Sequence, residues 1–277
     1  MGGDSGNRIS VEELSFTYPG AAREALSGIN LFFEQGEFCS VLGRNGSGKS
    51  TLARCLNAIL APSGGKVTSC GLDTRDQGGS LEIKKRIAMV FEDPDTQIVG
   101  TTVEEEVAFG PENLRLSTDV IRERVDSSLE LTGIREFIGR QPSRLSEGQK
   151  QVVAIAGALA MEPAFLVSDE STSMLDTNAR QRILELFLSL KEKGMGIIHV
   201  THFLEEAAMS DRVVVLDNGR VRAEGAPGDV LYDPVKVSEM GLDPLPVTIV
   251  AREMSAMGYP PPGPVLTVEE LLACIRA

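Results

Sequence analysis

The sequence predicts an α/β fold built on a largely parallel sheet with helices on both faces. Three observations carry that expectation. Short apolar runs alternate with helical patterns along much of the chain, as consecutive strand–helix–strand units do. One of these units holds a Gly-rich loop between its strand and its helix. The 277 residues, 42% of them hydrophobic, suffice for one large core with an appendage, or for two small domains.

Taken in order, Ile9–Phe16 and Leu31–Phe33 read as strands around a Gly- and Ala-rich turn. Phe38–Leu42 is a short apolar strand, followed by GRNGSGKS and then by TLARCLNAIL with helical period. Ile87–Phe91 is another short strand. From Val103 to about Leu159 the patterns are helical, with Gly and Pro punctuation and no convincing strand, so this stretch reads as a mostly helical insertion. Strands return at Ala164–Val167, Gly196–Val200 and Arg212–Leu216, the first two separated by a helix over residues 179–194. Asn218-Gly219 is a hairpin signal. Past Gly225 the pattern weakens. GYPPPGP, residues 258–264, is a stiff spacer. A short amphipathic helix follows, with Thr267 as N-cap and Glu270 three residues on.

The formal net charge of −13 argues against a surface devoted to nucleic acid, which leaves a basic footprint. Acidity of this size is chiefly a solubility device, and it leaves room for a membrane partner with basic loops. Cys39, Cys55, Cys70 and Cys274 form no CxxC pair and read as reduced thiols of a cytosolic protein. The opening MGGDSGNRIS holds no apolar run of a secretory signal, and Gly6 breaks the myristoylation pattern. No stretch approaches the roughly 18 continuous apolar residues of a membrane helix. Any membrane role is therefore expected to be that of a peripheral subunit.

Gly43, Arg44, Asn45, Gly46, Ser47, Gly48, Lys49 and Ser50 fit G-x-x-x-x-G-K-[ST], with Thr51 next in line. Glycines let the backbone wrap so that its N–H groups point at phosphate oxygens. The following helix offers its positive N-terminal end to the same anion. Lys49 is expected to reach the β- and γ-phosphates, and Ser50 to ligate Mg²⁺. By itself the motif indicates a P-loop nucleotidase, and kinases and GTPases share it. FLVSDE, residues 165–170, is an apolar strand ending in two carboxylates. Asp169 is placed to hold Mg²⁺ through water and Glu170 to polarise an attacking water as general base.

LSEGQKQ, residues 145–151, lies between these two elements and resembles LSGGQ, the signature of the ABC family. That resemblance implies a P-loop ATPase with a RecA-like core, a helical subdomain over about residues 93–160 and a small C-terminal extension. It implies that Ser146, Glu147, Gly148 and Gln149 face the γ-phosphate of an ATP held by the opposite subunit. Four further stretches match the family in order. Tyr18 in FTYPG resembles the aromatic that stacks on adenine. FEDPDTQ, residues 91–97, resembles the Q-loop. SMLD, ending at Asp176, resembles the D-loop that communicates across the dimer. His202 in VTHFLEEA resembles the switch histidine that senses the γ-phosphate. His199 lies inside a strand three residues earlier, so a His199–His202 metal pair is not expected.

Within the ABC family, FEDPDTQIVGTTVEEEVAFGPENL, QVVAIAGALAMEP, DESTSMLD and THFLEEA look like the ATPases of energy-coupling factor (ECF) importers. SEMGLDPLP and LTVEELL extend the likeness into the tail. The resemblance implies an ATPase domain over residues 1–230 and a dimerising extension over 231–277. It implies ATP and Mg²⁺ as cofactors and a second ATPase subunit, identical or different, as partner. It also implies a membrane T-component and a substrate-capturing S-component for a vitamin or transition-metal ion. The place of work would be the cytoplasmic face of the cell membrane.

The sequence departs from the family pattern at five points. Glu92 stands for the Q-loop Gln, Glu147 for the first Gly of LSGGQ, Val152 for an Arg and Ser171 for Ala or Pro, while Ser168 interrupts an apolar strand. An ionised Glu92 offers only acceptors, where Gln offers an acceptor and a donor. About 5 Å from a phosphate charge, at an effective dielectric near 20, it costs on the order of 3 kcal/mol unless it ligates Mg²⁺. Two other functions are compatible with the motifs: an ATPase of another ABC branch, and a module that dimerises on ATP with weak hydrolysis. A soluble ABC protein acting on DNA or ribosomes fits the short, acidic, single-cassette chain less well.

Overall fold

The computed structural model describes residues 8–76 and 78–276. The first seven residues, on which the reading of targeting signals chiefly rested, lie outside the described residues. In chain order the elements are β1 (Arg8–Phe16), β2 (Leu26–Glu34), β3 (Phe38–Leu42), α1 (Lys49–Leu56), β4 (Gly64–Ser69), β5 (Leu72–Asp73), α2 (Ser80–Arg86) and β6 (Ile87–Val90). Then come α3 (Val103–Asn113), α4 (Thr118–Leu131), α5 (Glu147–Leu159), β7 (Phe165–Asp169), α6 (Thr177–Glu192), β8 (Gly196–Val200) and α7 (Leu204–Ala207). The chain closes with β9 (Arg212–Asp217), β10 (Arg220–Gly225), α8 (Pro227–Leu231), α9 (Pro234–Glu239), α10 (Pro246–Ala256) and α11 (Val268–Arg276).

The strands form two sheets. A six-stranded sheet has the order β10-β9-β3-β8-β7-β6 and is parallel except at β10, which returns through the Asn218-Gly219 hairpin. Both turn residues have positive φ, 47° and 75°, the sign that a type I′ turn requires. Every residue of β3, β7 and β8 is buried, as befits strands covered on both faces. The expected single parallel framework is incomplete in one respect. β1, β2, β4 and β5 make a separate antiparallel sheet of order β2-β1-β4-β5. β2 also begins five residues earlier than its apolar triplet indicated, because only Leu26, Ile29, Leu31 and Phe33 of its nine residues are buried. That half-buried pattern is the mark of an antiparallel sheet with one covered face.

The helix after the phosphate loop is shorter than TLARCLNAIL promised. It ends at Leu56, where the Asn57 side-chain amide donates to the Ile87 carbonyl and Ala58 takes φ 57°. The stretch from Val103 to Leu159 is helical as expected. Val103, Val107, Val125, Leu129, Val153 and Ala156 give α3, α4 and α5 a core of their own.

Arg212 joins the sheets. Its guanidinium donates to both oxygens of Glu37, at 2.6 and 2.8 Å, to Glu224 and to the Phe32 carbonyl of β2. After Gly225, α8, α9 and α10 form where the sequence pattern faded, and α11 forms where its capping signal was read. Leu231, Val237, Leu242 and Leu245 pack on Leu42, Leu204, Val213 and Val215, so residues 231–245 share a core with β3, α7 and β9. Thr267 and Glu270 cap α11 reciprocally, with Glu270 N donating to Thr267 Oγ1 at 3.2 Å and Thr267 N to Glu270 Oε2 at 3.0 Å. Among the described residues no helix is long and apolar enough to cross a membrane.

Replacing Arg212 by Met leaves Glu37 and Glu224 without their shared cation. The expected loss is about 3 kcal/mol of unfolding free energy, measured as a lower urea midpoint with an unchanged slope.

Candidate functional site

β3, β8 and β7 run parallel and side by side, so the loops leaving their C-terminal ends meet at one edge, the usual ligand crevice of such sheets. Residues 43–48 leave β3 and α1 begins at Lys49. Gly43 and Gly48 hold φ of 151° and 105°, and a Cβ there would come within 2.3 Å of the Leu216 carbonyl and 2.6 Å of the Ala25 carbonyl. Side chains are thus excluded from both ends of the loop by its packing. Lys49 is 4% exposed and donates to the Gly43 carbonyl at 2.8 Å and the Arg44 carbonyl at 3.3 Å. Ser47 Oγ is buried without a protein partner, an unmet polar group inside a loop shaped for an anion.

β7 delivers the carboxylates. Ser50 Oγ donates to Asp169 Oδ1 at 2.8 Å, a hydroxyl and a carboxylate side by side as a Mg²⁺ site needs. Burial pushes the Asp169 carboxyl above its ordinary value, partly countered by that hydrogen bond. Glu170 lies 3.3 Å from Lys49 Nζ and 3.2 Å from His202 Nδ1. Its φ is 53°, a costly conformation for a residue with a side chain, held by its N–H donating to the Val200 carbonyl at 2.9 Å. His202 is half exposed, its ring resting against Phe203. Tyr18 stands beside α1, its hydroxyl 3.1 Å from Thr51 Oγ1 and its ring edge-on to Phe16. Arg44, Asn45 and Gly46 form the exposed rim of the loop. Arg44 packs against Gly241, so the rim also touches the C-terminal segment.

Glu92 reaches the same edge and accepts from Ser173 Oγ at 3.2 Å, which ties the segment after β6 to the turn after β7. Gln97 is turned elsewhere: its amide oxygen accepts from Phe91 N at 3.2 Å and its NH₂ donates to the Met89 carbonyl at 3.4 Å.

The remaining sequence-predicted residues lie in a second place. Ser146 caps α5 in a reciprocal capping box with Gln149. Asp176 caps α6, accepting from Ala179 N at 2.8 Å. Ser146, Gly148, Gln149 and Asp176 line an open groove of about 810 Å³ to which none of residues 43–51 contributes. A Cβ on Gly148 would lie 2.9 Å from that of Ala179, so this turn sits tightly on α6. Glu147 pairs with Lys150 at 3.0 Å, and Lys150 with Asp95 at 2.7 Å, which joins the signature turn to the segment after β6.

Sequence reasoning missed the polar group buried beneath this edge. Glu206 is surrounded by His199, Thr201, Thr172 and Arg180, and Ser168 binds the other side of His199. Ser168, read as an interruption of an apolar strand, is a member of that group. His199 and His202 face different partners, Glu206 and Glu170. A polar Ser168 and His199 in strands otherwise apolar was the available signal, but it named no partner.

A family model described as ABC transporter matches residues 26–173. The energy-coupling factor transporter ATP-binding protein EcfA1 of Symbiobacterium thermophilum is 47% identical over 275 residues, covering 96% of each chain. Among solved structures, cbiO1 from Clostridium perfringens, part of the ABC transporter complex cbiONQ, has TM-score 0.77 and 36% identity over 90% of this chain and 96% of its own. The ATP-binding cassette MJ0796, solved as a dimer in a post-hydrolysis state with ADP and Pi, has TM-score 0.71 and 29% identity over 79% and 98%. Phosphate loop, paired carboxylates and signature turn on this sheet define an ABC transporter ATPase, and the chain belongs to that family. Within it, the chain falls among the energy-coupling factor ATP-binding proteins.

Lys49→Ala removes the buried cation facing Glu170 and the loop. ATP affinity is expected to fall about 10- to 100-fold, the loss of one charge-assisted contact, read by calorimetric titration.

Proposed function

We propose that this chain is the ATP-hydrolysing subunit of an ECF-type importer, energising uptake of a vitamin or transition-metal ion captured by another polypeptide. The observation that carries this reading is the convergence of Lys49, Ser50, Asp169, Glu170 and His202 at one sheet edge, with the signature turn in a separate groove. One subunit holds ATP on residues 43–51, with Tyr18 against the base. A second ATPase subunit, identical or different, closes over it with its own signature turn. The separation of the two half-sites within one chain supports that arrangement, because Ser146 and Gly148 have no phosphate loop beside them in their own groove.

Ser50 and Asp169, with Glu92 as a further ligand, would hold Mg²⁺, which would supply charge neutralisation on the phosphates. Glu170 takes a proton from the attacking water, and the adjacent His202 orients that carboxylate. Lys49 offsets charge that builds on the transferred phosphoryl group. Phosphate loss then removes what joins the subunits, and the dimer reopens as two rigid bodies.

A groove of about 350 Å³ between the parallel core and the helical insertion fits a membrane T-component. Ile59, Phe91, Gln97, Phe109 and Met161 line it, and Phe109 and Ile59 stay exposed although apolar. A helical segment from a membrane subunit would cover them. Residues 246–276 present Ile249, Val250, Leu272 and Ile275 to solvent, which supports the reading of the extension as a dimer contact.

Glu170→Gln is expected to keep ATP-dependent association in sizing experiments while kcat falls about 10²- to 10⁴-fold. Turnover at the wild-type rate would remove Glu170 from its role. Glu92→Gln exchanges an acceptor-only side chain for one with a donor. It is expected to shift the Mg²⁺ concentration giving half-maximal ATPase activity, measured by titration at fixed ATP, and an unchanged midpoint would exclude Glu92 from the metal site.

A further inference from the structure

The cycle above uses Glu170 and His202 but assigns nothing to the carboxylate buried beneath them. Glu206, on α7, is 1% exposed. Its Oε2 accepts from Thr172 Oγ1 at 3.0 Å and from Thr201 Oγ1, and lies 2.7 Å from His199 Nε2. Its Oε1 has no hydrogen-bond partner and sits 3.3 Å from Arg180 Nε, an ion-pair contact. Burial pushes the Glu206 carboxyl up, but hydrogen bonds from His199, Thr201 and Thr172 outweigh it and hold it below its ordinary value.

These partners come from three segments: the turn after β7, which also carries Glu170, the end of β8, which leads into His202, and α6, which Asp176 caps. Thr172 lies two residues after Glu170. Thr201 immediately precedes His202. His199 binds Ser168 Oγ through Nδ1 at 3.0 Å, and Ser168 immediately precedes Asp169. Arg180 donates from Nη2 to the Leu175 carbonyl at 3.4 Å, next to Asp176, and its guanidinium lies 3.8 Å over the Phe203 ring beside His202. A single carboxylate thus sits where the end of β7 with the turn after it, the loop bearing His202 and the start of α6 come together. Glu170 is held in a conformation its own backbone disfavours, so its position depends on such outside constraint.

We propose that Glu206, acting with Arg180, is a positioning residue that holds Glu170, His202 and the turn at 173–176 as one unit. The proposal rests on the ATPase reading above. A displacement of about 1 Å at a reacting group costs on the order of 100-fold in rate, so loosening this unit should lower kcat while leaving ATP binding on residues 43–51 in place. A carboxylate serving stability alone would instead lower kcat in step with folding and affinity.

The test uses the full chain carrying Arg180→Gln, Arg180→Lys or Glu206→Gln. For each variant ATP affinity is titrated with Mg²⁺ present, kcat and KM are measured, and peptide hydrogen exchange is followed over residues 169–176 and 200–204. In Arg180→Gln the unfolding temperature and ATP affinity should stay near wild type while kcat falls about 10- to 100-fold. Both peptides should exchange faster together, and Arg180→Lys should recover part of the loss. An unchanged kcat, a kcat that falls in proportion to affinity or stability, or faster exchange confined to α7 overturns the proposal. Should Glu206→Gln fail to fold, the Arg180 variants decide, since that side chain is 25% exposed. Absence of hydrolysis in the wild type would overturn the ATPase reading, and the exchange of the two peptides would still decide whether Arg180 and Glu206 hold them together.

Discussion

The arrangement at the C-terminal edge of the parallel sheet depends on the register of β8 between β3 and β7. Ser40, His199 and Ser168 pair across the three strands at one level, and Val41, Val200 and Asp169 at the next. All three strands are buried throughout, so a slip of one residue would exchange the two faces of each and drive the wrong side chains into the core. With the register fixed, the chain leaves β3, β7 and β8 at the same end. Lys49, Glu170 and His202 are neighbours for that reason, although 121 and 32 residues separate them along the chain.

Charge is distributed unevenly around this edge. Most of the acidic excess is exposed and solvated, where it does little beyond keeping the chain dispersed. The carboxylates at or beneath this edge are each matched. Asp169 has Ser50, Glu170 has Lys49 and His202, and Glu206 has three donors and Arg180. An unmatched buried carboxylate would protonate or move toward water. Partners at each position hold the acids in place, and Glu170 retains partial exposure to solvent.

The C-terminal portion is mechanically continuous with the site. α7 turns Glu206 toward the sheet and Leu204 toward a core shared with Leu231, Val237, Leu242 and Leu245. Arg44, on the rim of the phosphate loop, packs on Gly241 of the same portion. Two contacts therefore connect residues 231–245 to the loops that bracket this edge of the sheet. The helical insertion has its own core and meets the parallel sheet mainly through α5, an arrangement suited to movement as a body.

The sequence by itself determined the phosphate loop, the acids at the end of β7, the signature turn and the Asn218-Gly219 hairpin. Each is local: its function follows from backbone geometry within a few residues, which residue type and spacing specify directly. The helical insertion was legible too, because its apolar period persists over dozens of residues. Tertiary structure alone decided that β1, β2, β4 and β5 form a second, antiparallel sheet, since strand partners are chosen across the chain and not along it. It alone gave residues 226–256 their packing, where short helices carry too little periodicity to read. It alone gathered Ser168, Thr172, Arg180, His199 and Thr201 around Glu206. Those contacts arise from cross-strand register and from the docking of α6 and α7 on the sheet, and no spacing in the sequence encodes which buried donor a carboxylate will meet.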